Sequence, residues 1–344
     1  MNARPPTGTM PAGPRRRLKS GLKSVLKLLV SAGLIAFLFT QLDVSSALHR
    51  CVEAQPGFLA AALALLLTQG FISALKWHVI LQADHCRLPL LRLWKTYLIG
   101  MFLSLLLPTS FGGDIYRVYA IRHQAPGLGK GASSVLFDRL TGLTALVTLA
   151  VIGSLCLTDS RFIAPSVAIY LVLITIGLLL TSDRALSWLR PRSTGRLRFL
   201  VALLESFNAY RRDRRCLLLV AAISLLFQTN IVVINALYCA ALGIDVSFWQ
   251  LLMVVPLVYL TEVLPISING LGVRESAFVF FFQSIGQSAE AGLAVALLVV
   301  VFRYASGLIG GGLLLWDWLR NGRDFSAAEP QADPGQASNS PPRP

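Results

Sequence analysis

Eight ionisable residues lie within or beside apolar stretches of this sequence: Arg117, Arg139, Arg274 and Arg303, with Asp114, Asp138, Glu262 and Glu275. A charge at the centre of a bilayer costs about 2.5–3.5 kcal/mol on an insertion scale, so such groups must be paired, hydrated or near an interface. Four of each sign allow full pairing. Asp114 and Arg117 form an i,i+3 pair if their stretch is helical. Two of the arginines close matching turns. Leu107-Pro108-Thr109-Ser110-Phe111-Gly112-Gly113-Asp114-Ile115-Tyr116-Arg117 aligns without gaps on Leu264-Pro265-Ile266-Ser267-Ile268-Asn269-Gly270-Leu271-Gly272-Val273-Arg274. The shared pattern is P-x-S-x-[GN]-G-x-x-x-R at an offset of 157 residues. A Gly-rich turn opening a helix leaves backbone N–H groups free, and an arginine beside them completes an anion site suited to a phosphate diester. The candidate phosphate-binding residues are therefore Ser110, Gly112, Gly113 and Arg117 in one turn, and Ser267, Gly270, Gly272 and Arg274 in the other. Ser110 and Ser267 act as further donors or as helix caps. Asp114, Asp138, Arg139, Glu262, Glu275 and Arg303 are candidates for pairing and gating, releasing the anion by re-pairing with arginine. The plainer alternative, that these pairs only pin helices together, stays open, above all for Asp138 and Arg139.

The elements that must carry these residues are membrane helices. Of 344 residues, 55% are hydrophobic and 14% charged, against about 25% charged in soluble domains. This composition belongs to an all-α polytopic membrane protein. The formal net charge of +14 would suggest nucleic acid in a soluble protein; here it points to cytoplasmic loops and anionic lipid. Five cysteines without CxxC spacing, four histidines without HExxH and the lack of a Walker loop argue against a metal centre, a disulfide framework or ATP hydrolysis. No cofactor is expected.

Apolar segments run over 25–42, 58–80, 93–107, 132–157, 163–181, 217–242, 248–264 and 289–315. If all eight cross, the Arg-rich loop 182–216 falls outside, against the positive-inside rule. The conflict disappears if 93–107 does not cross, and 248–264 repeats the situation from the other face. Each ends in a Pro-Gly break and turns back within the membrane. The expectation is six full spans and two opposed re-entrant helical hairpins arranged as an inverted repeat, with eight full crossings as the rival. Broken helices at matching places in inverted halves point to a substrate site near the midplane. Residues 1–24 are read as a basic cytoplasmic segment leading into an uncleaved anchor, a cleaved signal peptide being the alternative. Residues 321–344 are read as a disordered tail. Both termini are placed in the cytoplasm of a bacterial inner-membrane protein. In the loop, Leu197, Leu200, Val201, Leu204 and Phe207 recur at helical spacing between arginines, as in an amphipathic helix resting on anionic headgroups, an ordinary positive-inside loop being the equal alternative. The stripe Gly307, Gly310, Gly311 and Gly312 predicts close helix packing.

The ordered set of motifs resembles the lysylphosphatidylglycerol synthase transmembrane-domain family, also called flippase-like. Its elements here are the first turn, Phe137-Asp138-Arg139-Leu140-Thr141-Gly142-Leu143, Pro256-Leu257, and the second turn with Glu275. The resemblance covers about residues 20–320 and implies a flippase-like domain over 25–320. In two-domain relatives this part is implied to translocate an aminoacylated lipid made by a cytoplasmic transferase domain. That domain is not expected here, because 24 residues follow Arg320. The resemblance therefore implies a lipid translocase acting on membrane lipids, anionic by the chemistry above, with no nucleic-acid partner. Two rivals stay open: a membrane-embedded enzyme acting on a lipid-linked substrate, and an accessory partner of a separately encoded lipid-modifying enzyme.

Overall fold

The structure is a computed structural model that describes residues 28–38, 40–107, 112–122, 124, 128–157, 160–180, 182–192, 196–263 and 266–321. The basic segment 1–24, the tail beyond Asn321, and Pro108, Ser110 and Pro265 of the two turns lie outside the described residues. All the regular structure described is helical. In chain order the helices are α1 (Leu28–Leu38), α2 (Val44–Val52), α3 (Pro56–Ala83), α4 (Leu90–Leu106), α5 (Gly112–Ala120), α6 (Leu128–Leu157) and α7 (Ser160–Leu180). After these come α8 (Asp183–Leu189), α9 (Arg196–Arg212), α10 (Arg214–Ala241), α11 (Phe248–Val263), α12 (Val273–Ser284) and α13 (Ala289–Asn321). Among the described residues five helices, α3, α6, α7, α10 and α13, are long and apolar enough to cross a membrane, and α1 and α11 are shorter apolar helices.

Local chemistry sets the boundaries. Pro56 opens α3 at its first turn, where a missing N–H costs nothing. The Asp213 carboxylate accepts from the N–H groups of Arg215 and Cys216 and starts α10. His85, in the left-handed region at φ +58°, turns the chain out of α3 toward α4.

The helices flanking each broken turn fold back on one another. Gly113 N–H donates to Ser104 Oγ at 2.9 Å. At the far end of that pair, Val118 and Ile121 share an apolar cluster with Leu90, Leu93 and Trp94. α5 therefore retraces α4. α12 retraces α11 in the same way: Arg274 meets Glu262 at one end, and Gln287 Nε2 donates to Asp245 O at 2.7 Å at the other. The tips of the two hairpins touch. Asn269, left-handed at φ +53°, donates from Nδ2 to the carbonyls of Ser104 (3.0 Å) and Leu107 (3.2 Å). These are end-of-helix carbonyls with no partner inside α4. α1 braces the second tip, where Ser31 Oγ accepts from Ile268 N–H at 3.1 Å.

Around the hairpins α3 lies on α10, α6 on α11 and α13 on α4. Glycine permits the last two approaches. A Cβ on Gly153 of α6 would sit 2.5 Å from Met253 N of α11. A Cβ on Gly310 of α13 would meet the Leu98 carbonyl of α4. Gly307 and Gly311 likewise face Leu105 and Phe102, whereas Gly312 has nothing within 4 Å. The glycine stripe is thus a packing surface with one outward member.

The Arg-rich loop holds α8, a short 3-10 turn at Arg190–Arg192, and α9. The amphipathic helix expected there exists, and the described part of its apolar face packs on the protein's own body. Val201, Leu204 and Phe207 are buried; the side chains of Leu197 and Leu200 lie outside the described set. Phe207 meets Phe137 of α6 edge to face and Tyr210 packs on it tilted, at 5.3 and 4.6 Å between ring centres, and Ile80 of α3 joins the same cluster. An aromatic cluster on the protein's own body offers tighter packing than a fluid interface, and it decides where the face goes.

The Tyr210 hydroxyl donates to the buried carboxylate of Asp84. Burial pushes the Asp84 pKa above the ordinary carboxylate value, partly countered by the Tyr210 hydrogen bond. The native state therefore holds this proton more tightly than the unfolded chain. Stability from this group is greatest in acid and is lost as pH rises through the raised pKa. Tyr210→Phe is expected to cost about 1–3 kcal/mol by leaving the carboxylate without its donor. The loss should be larger in alkaline buffer, where Asp84 is ionised, than in acid. Thermal unfolding in detergent at the two pH values measures it.

Candidate functional site

Two ionic clusters sit at the two hairpins. In the first, α6 presents Asp138 and Arg139 in succession, α5 presents Asp114 and Arg117, and α3 contributes Lys76. Asp138 is buried and holds two cations: Lys76 Nζ lies 2.7 Å from Oδ1, and Arg117 Nη1 donates to Oδ2 at 2.9 Å. Lys76 also donates to the backbone carbonyl of Asp138 at 2.9 Å. Arg117 is 3.7 Å from Asp114, the i,i+3 pair expected from the sequence. Asp114 Oδ2 in turn accepts from Arg139 at 2.8 Å. The Arg117 guanidinium lies 4.3 Å from the centre of the Trp77 ring, a cation–π contact that stabilises a charge removed from water. Its Nε and Nη2 have no hydrogen-bond partner among the described residues.

In the second cluster Glu262, at the end of α11, accepts from Arg303 at 2.9 Å and from Arg274 at 3.4 Å. Glu275 Oε1 accepts from Arg274 Nη2 at 2.7 Å and from Nε at 3.2 Å. Its other oxygen takes the N–H of Gly272 at 2.6 Å. Gly272 sits at φ +82°, a conformation glycine adopts without a Cβ penalty.

All eight charges found in the sequence are thus paired, as their cost in an apolar medium requires. Lys76 is the one the sequence reading missed. It is the single Lys or Arg in α3 and was hidden inside an otherwise continuous apolar run. A lone lysine beside a tryptophan in such a run was the available signal.

The two turns differ from the expected free-amide cradles. The N–H of Gly113 is taken by Ser104 and that of Gly272 by Glu275. Gly270 closes against the Glu262 side chain, and Gly112 against Leu107. Ser267 is buried, and its hydroxyl has no partner among the described residues; Ser110 lies outside them. Hairpin arginines and accessible arginines also part company. Arg117 and Arg274 have side chains 4% and 2% exposed, whereas Arg139 and Arg303 are 51% and 36% exposed.

The accessible pair faces a common space. A cavity of about 500 Å³ is lined by Arg139 on one side and by Glu262 and Arg303 on the other. Tyr97, Tyr259, Gln69, Gln228 and Asn269 supply uncharged polar groups along an otherwise apolar wall. A side chamber of about 200 Å³ shares Tyr97, Ser104 and Arg139 with it and reaches Lys76, Asp114, Arg117 and Asp138. Among the described residues no group of three or more His, Cys, Asp or Glu is arranged to hold a metal ion.

The family model described as lysylphosphatidylglycerol synthase TM region matches residues 24–311. The chain belongs to this family. No curated protein and no solved structure matches it. The lysylphosphatidylglycerol synthase TM region here is a flippase-like, multi-pass helical membrane protein, as its ordered motifs suggested. The matched stretch of this TM region contains both hairpins, both ionic clusters and every charged residue lining the two cavities.

Proposed function

We propose that this protein moves an anionic lipid between the leaflets of the bacterial inner membrane. The observation that carries the reading is the cavity of about 500 Å³ lined by an accessible arginine from each hairpin region, Arg139 and Arg303, each paired with a carboxylate, Asp114 and Glu262. A phosphate diester entering the cavity takes the exposed guanidinium from its carboxylate, forming charge-assisted bonds of the same kind. It leaves when the carboxylate returns. The headgroup crosses in the cavity while its tails stay in lipid. On this reading the chain does no covalent chemistry, and any lipid-modifying enzyme that supplies the substrate is a separate protein.

The architecture proposed for this is six spans, with α1 as the first, and two re-entrant hairpins that enter from opposite faces. Both termini are cytoplasmic. Three features support two inverted halves. The offset that aligns Arg117 with Arg274 also relates Gly153 to Gly310, and each of these glycines lets the last helix of its half pack on the opposite hairpin. α3 and α10, at the same offset within a residue, pack on one another. The hairpin tips meet at Asn269.

Reconstitution into liposomes with fluorescent phosphatidylglycerol tests the function. Arg139→Gln with Arg303→Gln is expected to slow translocation at least about tenfold, the loss of one charged hydrogen bond being worth about 1.5–3 kcal/mol. Wild-type rates in the double variant would sink the proposal.

A further inference from the structure

The two halves are chemically alike in plan and unequal in charge. Each runs from an accessible arginine to a carboxylate, on to a buried hairpin arginine and then to a second carboxylate. In the first half the order is Arg139, Asp114, Arg117, Asp138. In the second it is Arg303, Glu262, Arg274, Glu275. The second half ends there, with two cations on two carboxylates. The first has one more member, Lys76, buried at 2.7 Å from Asp138. Three cations then face two carboxylates, and one formal positive charge is left over.

That surplus has space in front of it. The side chamber of about 200 Å³ is lined by Lys76 and Arg117, and Arg117, buried as it is, keeps Nε and Nη2 without hydrogen-bond partners among the described residues. Ser73 and Gln228, both buried, line the same chamber and are uncharged. A buried unpartnered guanidinium edge in a cavity with a net positive charge is a complement for one negative charge, not for a zwitterion or a cation.

Building on the translocation reading above, we propose that Lys76 sets the headgroup charge the protein accepts. The first half-site takes a lipid whose headgroup carries one net negative charge on a phosphodiester. It discriminates against neutral zwitterionic headgroups and rejects aminoacylated, cationic ones. A unit charge lining the same chamber as the headgroup, at an effective dielectric of about 20, changes affinity roughly tenfold or more, so the selection is strong. Lys76 is a specificity-determining residue and performs no chemistry.

Fluorescent phosphatidylglycerol, phosphatidylethanolamine and lysylphosphatidylglycerol are compared in liposomes of one fixed composition. For the wild type the expected order of rates is phosphatidylglycerol first, phosphatidylethanolamine at least about tenfold slower and the lysylated lipid slowest. Lys76→Met leaves Asp138 to Arg117 and makes the half-site neutral, so the preference for the anionic lipid over the zwitterionic one should disappear. Lys76→Arg should restore it, which a merely structural lysine would not predict. Equal wild-type rates for all three lipids, or an unchanged order in Lys76→Met, overturn the inference. If no lipid moves in wild type, the transport reading fails. The charge order is then read from thermal stabilisation of the detergent-solubilised protein by the same three lipids, with Lys76→Gln as a second neutral variant. Stabilisation by inorganic phosphate equal to that by phosphatidylglycerol would make this a soluble-anion site and overturn its assignment to lipid.

Discussion

Asp138→Ala is expected to destabilise the protein by about 3–5 kcal/mol, the cost of removing one partner from a buried ion pair. The carboxylate is shared by two cations that are themselves buried, Lys76 and Arg117. Without it Arg117 keeps Asp114 at 3.7 Å and the Trp77 ring. Lys76 keeps the backbone carbonyl of residue 138 and a longer contact with the Phe227 ring at 5.9 Å, but no carboxylate among the described residues. The lysine is therefore the more damaged partner, and Lys76→Met in the same chain should recover a large part of the loss. A double-mutant cycle by thermal unfolding in detergent measures the coupling, and strictly additive single effects would contradict the shared-carboxylate arrangement. The same cycle separates stability from selectivity, because Lys76→Met alone should change the preferred lipid more than the unfolding midpoint.

Gly310→Leu is expected to cost about 3 kcal/mol or more, at the upper end of overpacking effects. The atom that a side chain would meet is the backbone carbonyl of Leu98, not the far end of a flexible group. Relief requires α13 to move away from α4. That motion pulls Arg303 from Glu262 and opens the wall of the cavity. Gly312 on the same helix is the control. It has nothing within 4 Å, and Gly312→Leu should change stability by no more than about 0.5 kcal/mol. Unfolding midpoints and translocation rates of the two variants, taken together, check both halves of the claim. A Gly310→Leu protein as stable and as active as Gly312→Leu would refute the close approach.

Much of the frame could be read from residue order, since hydropathy and chain breaks are local properties. Segments 58–80 and 217–242 became α3 and α10 with shifts of a few residues at each end. Pro108 and Pro265, with the glycines after them, marked the places where the chain folds back. The full pairing of the intramembrane charges was also legible, because an apolar medium leaves few alternatives. The identity of the partners was not. Glu262 lies on the helix entering its hairpin and Asp114 on the helix leaving its own, so the carboxylates fall out of register while the arginines align. Lys76 was lost because averaging over a long apolar run conceals one charge. Two of the glycine amides are already taken: that of Gly113 by Ser104 on the adjoining helix, and that of Gly272 by Glu275 three residues on in its own helix, where the spacing of a helix cap was legible. The contact of Asn269 with Ser104 and Leu107 joins residues over 160 positions apart, beyond the reach of periodicity.

That contact has a consequence for the cell's energy supply. A bacterial inner membrane stores work as an ion gradient, and a polar hole through its middle is a short circuit. Parting the hairpin tips strips two backbone carbonyls of their donor in a medium that offers no other, so the tips separate only when water or a headgroup arrives to replace Asn269. The closed contact is thus the arrangement that an ion-tight membrane favours, since opening it leaves two carbonyls to find another donor.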